Sequence, residues 1–276
     1  SIVAVSEFTD NDYIVMLTTG GYIKKTGLSA FNNIRANGLI AISLGEGDEL
    51  RWVRLAKVDD SIIIGSRLGM AIHFRTDHKQ LRPLGRATRG VKSMKLGKKD
   101  ELISMDILPS TIVSSIAQLD SEETEIEDEA LLETEAEEIT VENNQELAIM
   151  VITAGGYGKR VPVSQFRLQN RAGKGIIATK FKQHLATDEV IGLQVVNEND
   201  ELMLITSRGI IIRQAVNAIP TQSRSATGVR VQRLDDEDAI AAVAIVPPSE
   251  KEVETELEVE TETELETSVE AVDSEE

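Results

Sequence analysis

The chain has 276 residues, no cysteine and a formal net charge of −18 at pH 7. The lack of cysteine excludes a disulfide framework and a thiolate metal site, and it agrees with a cytoplasmic location. The longest apolar runs, such as residues 61–65, have the length of a strand and fall far short of the ~20 residues of a membrane-spanning helix, so we expect no membrane partner.

The negative charge is confined to two stretches, called here the acidic segments. Residues 111–146 and 249–276 carry −13 and −12, whereas residues 1–110 and 147–248 carry +4 and +3. The glutamate blocks of the acidic segments cannot bury enough apolar surface to offset the entropy of ordering, so both are predicted to be disordered. Because the rest of the chain is mildly basic, the overall charge does not exclude a polyanionic partner.

The two basic parts contain four copies of one pattern. Each copy has an apolar strand, a turn glycine, a strand with basic residues, a loop, a second glycine before a third strand, and a turn before a final apolar strand. The first glycines are Gly21, Gly69, Gly156 and Gly209, the second are Gly38, Gly90, Gly175 and Gly228, and the last turns carry Asp48, Asp100, Asp188 and Asp238. Glycine at a hairpin tip supplies the positive φ that such turns require.

About four strands in about 50 residues, with no long helical period, predict an all-β, propeller-like fold of four-stranded blades. The opening residues resemble the final strand of the other repeats, so we expect at least one blade upstream. The predicted units are residues 1–10 (last strand of a missing blade), 11–60 and 61–110 (blades), 111–146 (acidic disordered insertion), 147–200 and 201–248 (blades), and 249–276 (acidic disordered tail).

Positive charge recurs between the two glycines of every repeat. These basic slots, residues 22–38, 70–90, 157–175 and 210–228, hold 15 Lys and Arg residues and a single acid, Asp77. In a radial array the slots share one rim, which would hold a polyanion through its phosphates with little sequence reading. The predicted phosphate contacts are Lys24, Lys25, Arg35, Arg75, Lys79, Arg82, Arg86, Arg89, Lys159, Arg160, Arg167, Arg171, Lys174, Arg213 and Arg224.

The strings at residues 20–31, 44–50, 85–102 and 155–166 resemble the blades of a known family, the C-terminal β-pinwheel domain of DNA gyrase A subunits. The resemblance covers residues 1–110 and 147–248, and the four repeats are similar to the family's last four blades. It implies a ring whose basic perimeter wraps double-stranded DNA and so supports ATP-dependent negative supercoiling. The implied protein partners are the catalytic part of the polypeptide that carries the domain, together with the ATPase subunit, which is the gyrase B subunit.

The family also has a seven-residue box, Gln-Arg-Arg-Gly-Gly-Lys-Gly, normally in its first blade. The nearest match here is residues 169–175, in the third repeat. Gln169, Arg171, Gly173, Lys174 and Gly175 agree with the box, and Asn170 and Ala172 depart from it. We interpret the string as a degenerate box, which leaves open whether it contacts phosphate or only closes a blade with a glycine-rich turn.

Groups that catalysis would need are missing from the sequence. The family's nucleophile is a tyrosine preceded by arginine, and Tyr13, Tyr22 and Tyr157 have no such neighbour. Val91 stands where a phosphate-binding loop would need lysine, and the three histidines are scattered. We therefore expect no catalytic residue, cofactor or metal site. Two alternatives remain: the equivalent domain of topoisomerase IV, and a propeller that serves as a protein-interaction module.

Overall fold

The computed structural model describes residues 3–5, 8–9, 11–33, 36–111, 147–182 and 188–248. Residues 112–146 and 249–276, which hold nearly all of the acidic segments, lie outside these ranges. The described part is built from antiparallel sheets with only short helical turns, which confirms the all-β prediction. Residues 3–5, expected to belong to a final strand, form no strand.

The strands follow the order expected from the repeats. They are β1 (Asp12–Thr18), β2 (Tyr22–Gly27), β3 (Leu50–Lys57), β4 (Ser61–Ser66), β5 (Met70–Arg75), β6 (Val91–Lys92), β7 (Leu102–Leu108), β8 (Ala148–Thr153), β9 (Tyr157–Pro162), β10 (Ile176–Ile177), β11 (Val190–Val196), β12 (Glu201–Thr206), β13 (Ile211–Ala215), β14 (Val229–Arg230) and β15 (Ile240–Val246). Helical turns follow the second strands: Leu28–Phe31, α1 (His78–Leu81), Val163–Gln165 and Val216–Ala218.

The sheets do not coincide with the sequence repeats, because repeats two, three and four each give their short third strand to the sheet of the preceding repeat. The sheet orders are β3-β1-β2-β6, β10-β5-β4-β7, β11-β8-β9-β14 and β13-β12-β15. The third strands of repeats two, three and four, β6, β10 and β14, thus complete sheets one, two and three. The β10–β5 pair also joins the second and third repeats across the acidic segment between them.

The fourth sheet departs from the four-stranded prediction, since it has three strands in the described part of the chain. Its outer position would take the third strand of a following repeat, and none is described. In each full sheet the final strand of a repeat lies at one edge and the exchanged strand at the other. Final strands of neighbouring sheets contact each other, β3 with β7, β7 with β11 and β11 with β15, so the exchanged strands lie at the outer edge.

The apolar core lies between neighbouring sheets. Alternate residues of one strand face opposite neighbours: Ile62 and Ile64 of β4 belong to the cluster shared with the first sheet, and Ile63 to the cluster shared with the third. A strand covered on both faces needs apolar residues throughout, which explains the continuous run at residues 61–65. In β12, at the end of the array, Leu202 and Leu204 are buried and their neighbours only partly so.

The turn acids join the last turn of each repeat to its first hairpin. Asp48 accepts hydrogen bonds from the Thr18 hydroxyl at 2.8 Å and from the Gly20 N–H at 2.6 Å. Asp100, Asp188 and Asp238 accept equivalent bonds from the hairpin tips of their own repeats. Burial acts to raise the pKa of Asp48, but these bonds lower that pKa below its usual value. The aspartate at this position therefore stabilises the turn.

Candidate nucleic-acid interface

Three loops immediately precede the exchanged strands and so lie beside the outer edge of the array. These rim loops are residues 84–90, 169–175 and 222–228. Each ends on the second glycine of its repeat, and each carries an arginine at its third position: Arg86, Arg171 and Arg224. Each exchanged strand pairs with the second strand of the preceding repeat. The rim loop that leads into it therefore packs against residues of that preceding repeat.

Lys24, on β2, is fully buried beneath the first rim loop. Its ammonium group donates to the carbonyl oxygens of Gly85 at 3.1 Å and Thr88 at 3.2 Å, and also to that of Arg86. A lysine ammonium has three donors, so these carbonyls use all of them. Lys24 thus holds the loop of the next repeat from inside.

Lys159 occupies the same position in β9 and is also buried. Its ammonium group donates to the carbonyl oxygens of Ser223 at 2.9 Å, Arg224 at 2.7 Å and Ala226 at 2.8 Å. Burial lowers the pKa of both Lys24 and Lys159 to about 8, and the nearby Arg224 charge adds to the lowering at Lys159. The two lysines are equivalent fasteners between neighbouring repeats.

Lys25 and His73 occupy the next position of their strands and are buried as well. The Lys25 ammonium donates to the Thr76 carbonyl and lies 4.4 Å from the centre of the Tyr13 ring. Burial lowers its pKa, against the opposing charges of nearby aspartates. His73 contacts the Phe166 carbonyl through Nδ1 at 2.6 Å, and burial lowers its pKa.

These positions correct the sequence prediction for Lys24, Lys25 and Lys159. All three were expected to contact phosphate, yet their ammonium groups are enclosed and bonded to backbone carbonyls. A pattern of basic residues shows where charge recurs along the chain, but it does not show which of those side chains another repeat covers. We therefore leave the three lysines out of the candidate interface.

Three other predicted contacts are exposed or half-buried but already bonded within the protein. Arg160 pairs with Glu198 at 2.7 Å, and Arg213 pairs with Glu201. Arg224 donates to the Ile177 carbonyl. Glu198 and Glu201 therefore largely neutralise the charges of Arg160 and Arg213. Arg35 lies outside the described residues.

The degenerate box, residues 169–175, forms the second rim loop. Arg171 donates from Nε to the Gln80 carbonyl at 2.7 Å and from Nη1 to the Lys92 carbonyl at 2.5 Å. The Asn170 side-chain oxygen accepts from Gln80 Nε2 at 2.8 Å. Ile72 takes the place of Lys24 and Lys159 in this strand, so no lysine among the described residues holds this loop from below. Arg171 thus ties the second and third repeats together, while Lys174 of the same box is exposed.

Seven predicted contacts remain as exposed or half-buried cations that form no ion pair with any described carboxylate. They are Arg75, Lys79, Arg82, Arg86, Arg89, Arg167 and Lys174. All belong to the second and third repeats. Arg75, Lys79 and Arg167 line one open cavity of about 540 Å³, in which Asp77 is the one acid among the lining residues. The strand exchange therefore brings cations from two repeats, separated along the chain by an acidic segment, to one surface.

Two further cations lie at this edge that the sequence prediction missed. Lys92 on β6 and Arg230 on β14 are exposed residues of the outermost strands. Lys92 and Arg89 lie 4.1 and 3.9 Å from the centre of the Tyr22 ring, and Arg230 donates to the Tyr157 hydroxyl at 3.1 Å. Lys92 and Arg230 both stand two places after the second glycine of their repeat, and this position could have indicated them from the sequence. The basic slots, as defined above, end at that glycine and so exclude them.

Within the described ranges, no group of three or more His, Cys, Asp or Glu side chains could hold a metal ion, and no helix is long and apolar enough to cross a membrane. His78 is exposed, and His184 lies outside these ranges. The fold and the surface together define a class: an all-β array of blades that exchange strands and carry unpaired cations along one outer edge.

Comparison with known proteins gives the family. The family described as "DNA gyrase C-terminal domain, beta-propeller" matches residues 12–57, 60–109, 148–197 and 200–247. The chain belongs to this family. It is 61% identical over 257 residues to the DNA gyrase A subunit of Synechocystis, and 35% identical over 257 residues to the chloroplastic/mitochondrial counterpart of Arabidopsis thaliana. These alignments cover 91% of the chain but only 29% and 25% of the relatives, so the chain spans under a third of their length.

Two solved structures share the fold. A DNA gyrase A C-terminal domain matches with a TM-score of 0.64 at 22% identity, covering 88% of this chain and 68% of that one. The C-terminal domain of a DNA topoisomerase IV matches with a TM-score of 0.69 at 20% identity, covering 88% of this chain and 64% of that one. At these identities the likeness concerns the fold alone.

Proposed function

We propose that this chain binds double-stranded DNA along the outer edge of its blades and acts as the non-catalytic wrapping module of a gyrase A subunit. The observation that carries the proposal is the set of seven unpaired cations of the second and third repeats. Exposed cations without carboxylate partners are free to displace counterions from a phosphate backbone. Membership of the gyrase C-terminal family supports the same conclusion.

The composition of the surface favours backbone contact over base reading. Arginines such as Arg86 and Arg89 can bind two phosphate oxygens at once. Only 3% of the residues are aromatic, and the Tyr22 ring is already covered by Arg89 and Lys92. Few aromatic side chains are therefore available to stack on the bases of single-stranded DNA. Binding to duplex DNA with little sequence preference follows.

In the whole protein the module would guide DNA around itself and present it to the catalytic part of the same polypeptide. The ATPase subunit, which is the gyrase B subunit, would supply the energy of the reaction, and the assembly would work in the cytoplasm. By itself this chain is expected neither to hydrolyse ATP nor to cleave or relax plasmid DNA. Relaxation by a preparation free of other gyrase parts would contradict this assignment.

The direct test is a salt titration of duplex binding by two variants that lose the same charge. R86Q/R89Q removes two unpaired arginines of the first rim loop. R51Q/R54Q removes two arginines of β3, the strand at the opposite edge of the same sheet. We expect R86Q/R89Q to bind duplexes of any sequence more weakly, with a slope of log K against log salt that is shallower by roughly 0.9 for each phosphate contact removed. R51Q/R54Q should stay near the wild type.

Equal affinity and slope for both variants and the wild type would exclude the rim as the binding surface. An absence of salt-dependent DNA binding by the wild type would favour the protein-interaction alternative. In a reconstituted gyrase, R86Q/R89Q should lose supercoiling more than ATP-dependent relaxation. A topoisomerase IV type of domain, which binds DNA without strong wrapping, would leave no supercoiling activity for the variant to lose.

A further inference from the structure

The two unpaired arginines of the first rim loop, Arg86 and Arg89, differ in what surrounds them. Within the described residues, neither guanidinium group donates a hydrogen bond or forms an ion pair. No described aromatic ring lies under Arg86, whereas Arg89 lies against two residues of the first repeat, Tyr22 and Gly45. One arginine of the loop is therefore held in place, and its hydrogen-bond donors remain unused.

The Tyr22 ring supplies one part of the contact with Arg89. Tyr22 begins β2, and the Cζ atom of Arg89 lies 3.9 Å from the centre of its ring. A guanidinium group stacks well on an aromatic face, and its N–H groups stay available for two phosphate oxygens. The ring thus orders the cation without using its hydrogen-bond donors.

Gly45 supplies the other part, because it has no side chain. An added Cβ at Gly45 would lie 2.5 Å from Nη2 and 2.9 Å from Cζ of Arg89, so the guanidinium group occupies the space that a side chain would fill. The φ of Gly45 is not in the left-handed region, so its backbone conformation does not require glycine. The Ser43 N–H donates to the Thr88 carbonyl at 3.0 Å and brings this turn against the rim loop. Glycine at this position therefore serves the contact with Arg89.

The junction between the second and third repeats lacks this arrangement. The equivalents of Arg89, Tyr22 and Gly45 there are Lys174, Met70 and Gly97. Met70 offers no ring and pairs with Ile177, and nothing lies within 4 Å of a Cβ added at Gly97. The contact at Arg89 therefore depends on particular residues of the first two repeats and is not a general property of the fold.

We propose that Tyr22 and Gly45 are positioning residues for DNA binding, which hold the Arg89 guanidinium group in place before a phosphate arrives. A flexible arginine must be ordered when it binds, and that ordering consumes part of the interaction free energy. Contacts within the protein order Arg89 beforehand, so less of its interaction free energy is lost than at Arg86. The inference rests on the proposed function, because it assigns two residues a role in the affinity of the outer edge for DNA.

G45A tests the role of Gly45 without changing any charge. Its Cβ would displace the far end of a flexible side chain, so the fold is retained while Arg89 moves. G97A, the same change in the turn of the second repeat, is the matched control and should keep the affinity of the wild type. We expect G45A to bind a duplex about three- to tenfold more weakly, because Arg89 must then be ordered on binding. The slope of log K against log salt should stay unchanged for G45A and become shallower by roughly 0.9 for R89Q.

Two substitutions of Tyr22 test the ring. Y22F keeps the aromatic face and should bind DNA as the wild type does. Y22L removes that face and also releases Lys92, whose ammonium group lies 4.1 Å from the ring centre. Its loss of affinity should therefore be at least as large as that of G45A, again with an unchanged salt slope. Thermal melting checks that both variants are folded.

The mobility of the arginine side chains gives a second readout that needs no DNA. Nitrogen-15 relaxation of the side-chain Nε–H groups should give Arg89 a higher order parameter than Arg86 in the wild type. In G45A the value for Arg89 should fall below about 0.6, in the flexible range. R86Q and R89Q identify the two signals, because each variant removes one of them.

The outcomes separate this role from the proposed function. Equal binding by G45A and G97A, in a chain whose wild type binds DNA, would remove the positioning role and leave the proposed function intact. Equal weakening by Y22F and Y22L would place the effect on the hydroxyl group and contradict the role of the ring. An Arg89 order parameter as low as that of Arg86 would show that the two contacts do not hold the side chain. A wild type that binds no DNA would overturn the proposed function and this role together.

Discussion

The ammonium group of Lys24 lies 3.1 Å from the carbonyl oxygen of Gly85, a residue of the next repeat. Lys159 makes the same contact with Ser223 at 2.9 Å. In each case a buried cation from one repeat holds the backbone of a rim loop from the following repeat. The cations that remain outside, such as Arg86 and Arg89, are therefore presented by loops that are fastened from within.

Removal of the Lys24 fastener should destabilise the protein. In K24M the carbonyls of Gly85, Arg86 and Thr88 lose their donor, and unsatisfied groups of this kind cost about 1–3 kcal/mol. Chemical denaturation should show that loss, whereas K92M, which changes an exposed lysine of β6, should shift the free energy of unfolding by less than about 0.5 kcal/mol. An unfolding midpoint for K24M equal to that of the wild type would refute the fastening role.

The stability of the wild type should depend on pH through Lys24 and Lys159. Burial lowers the pKa of each to about 8 in the folded protein, from an ordinary lysine pKa of 10.5. Because the folded pKa is the lower one, the unfolded chain binds more protons between these values, and folding becomes more favourable as pH rises through that window. Below about pH 8 both states are protonated and the contribution is constant.

Comparison with K24M/K159M isolates this effect, since the double variant lacks both groups. The difference in unfolding free energy between wild type and variant should move in favour of the wild type from pH 8 to pH 10. Guanidinium titrations at pH 7, 8.5 and 10 measure it. A difference that is flat with pH would show that the lysines titrate normally in the folded protein.

The degenerate box should separate into a structural half and a binding half. R171Q removes the bonds to the carbonyls of Gln80 and Lys92, so we expect lower stability, by about 1–3 kcal/mol. K174Q removes an exposed charge, so we expect weaker duplex binding with unchanged stability. Thermal melting and a salt titration of both variants decide the matter. The opposite assignment of effects would show that Arg171 reaches phosphate despite its internal bonds.

The acidic segments should compete with DNA for the blades. Residues 111–146 and 249–276 together carry −25, against +7 for the rest of the chain. A tethered polyanion acts at high effective concentration, so deletion of residues 249–276 should tighten duplex binding at low salt. Added salt screens the tail and the DNA alike, and the gain should shrink as salt rises.

The length of the chain between the blades and the tail distinguishes two ways in which the tail could weaken DNA binding: direct contact with the blades, and long-range repulsion of the DNA. Insertion of a neutral flexible linker before residue 249 leaves the net charge unchanged but lowers the effective concentration of the tail. Competition by contact should then weaken. Identical binding by the intact and the deleted chains at low salt would show that the tail does not regulate the surface.

Local sequence determined much of this protein. The positive φ of Gly21 and Gly69 follows from the turn position of glycine, and the all-β class follows from short β-branched strands between such turns. The turn acids are local as well, since Asp48 closes a hairpin of its own repeat. These features depend on backbone preference and on contacts within about one repeat, which a repeated pattern shows directly.

Only the tertiary structure decided which basic residues are available. Lys24 and Lys174 both lie in basic slots, yet Lys24 is fully buried and Lys174 is exposed. The difference arises because β6 leaves its own repeat and brings residues 84–90 over Lys24. Burial of a side chain depends on what covers it, and here the cover comes from a segment some 60 residues later in the chain. The exchange of third strands thus determines both the buried fasteners and the charged outer edge.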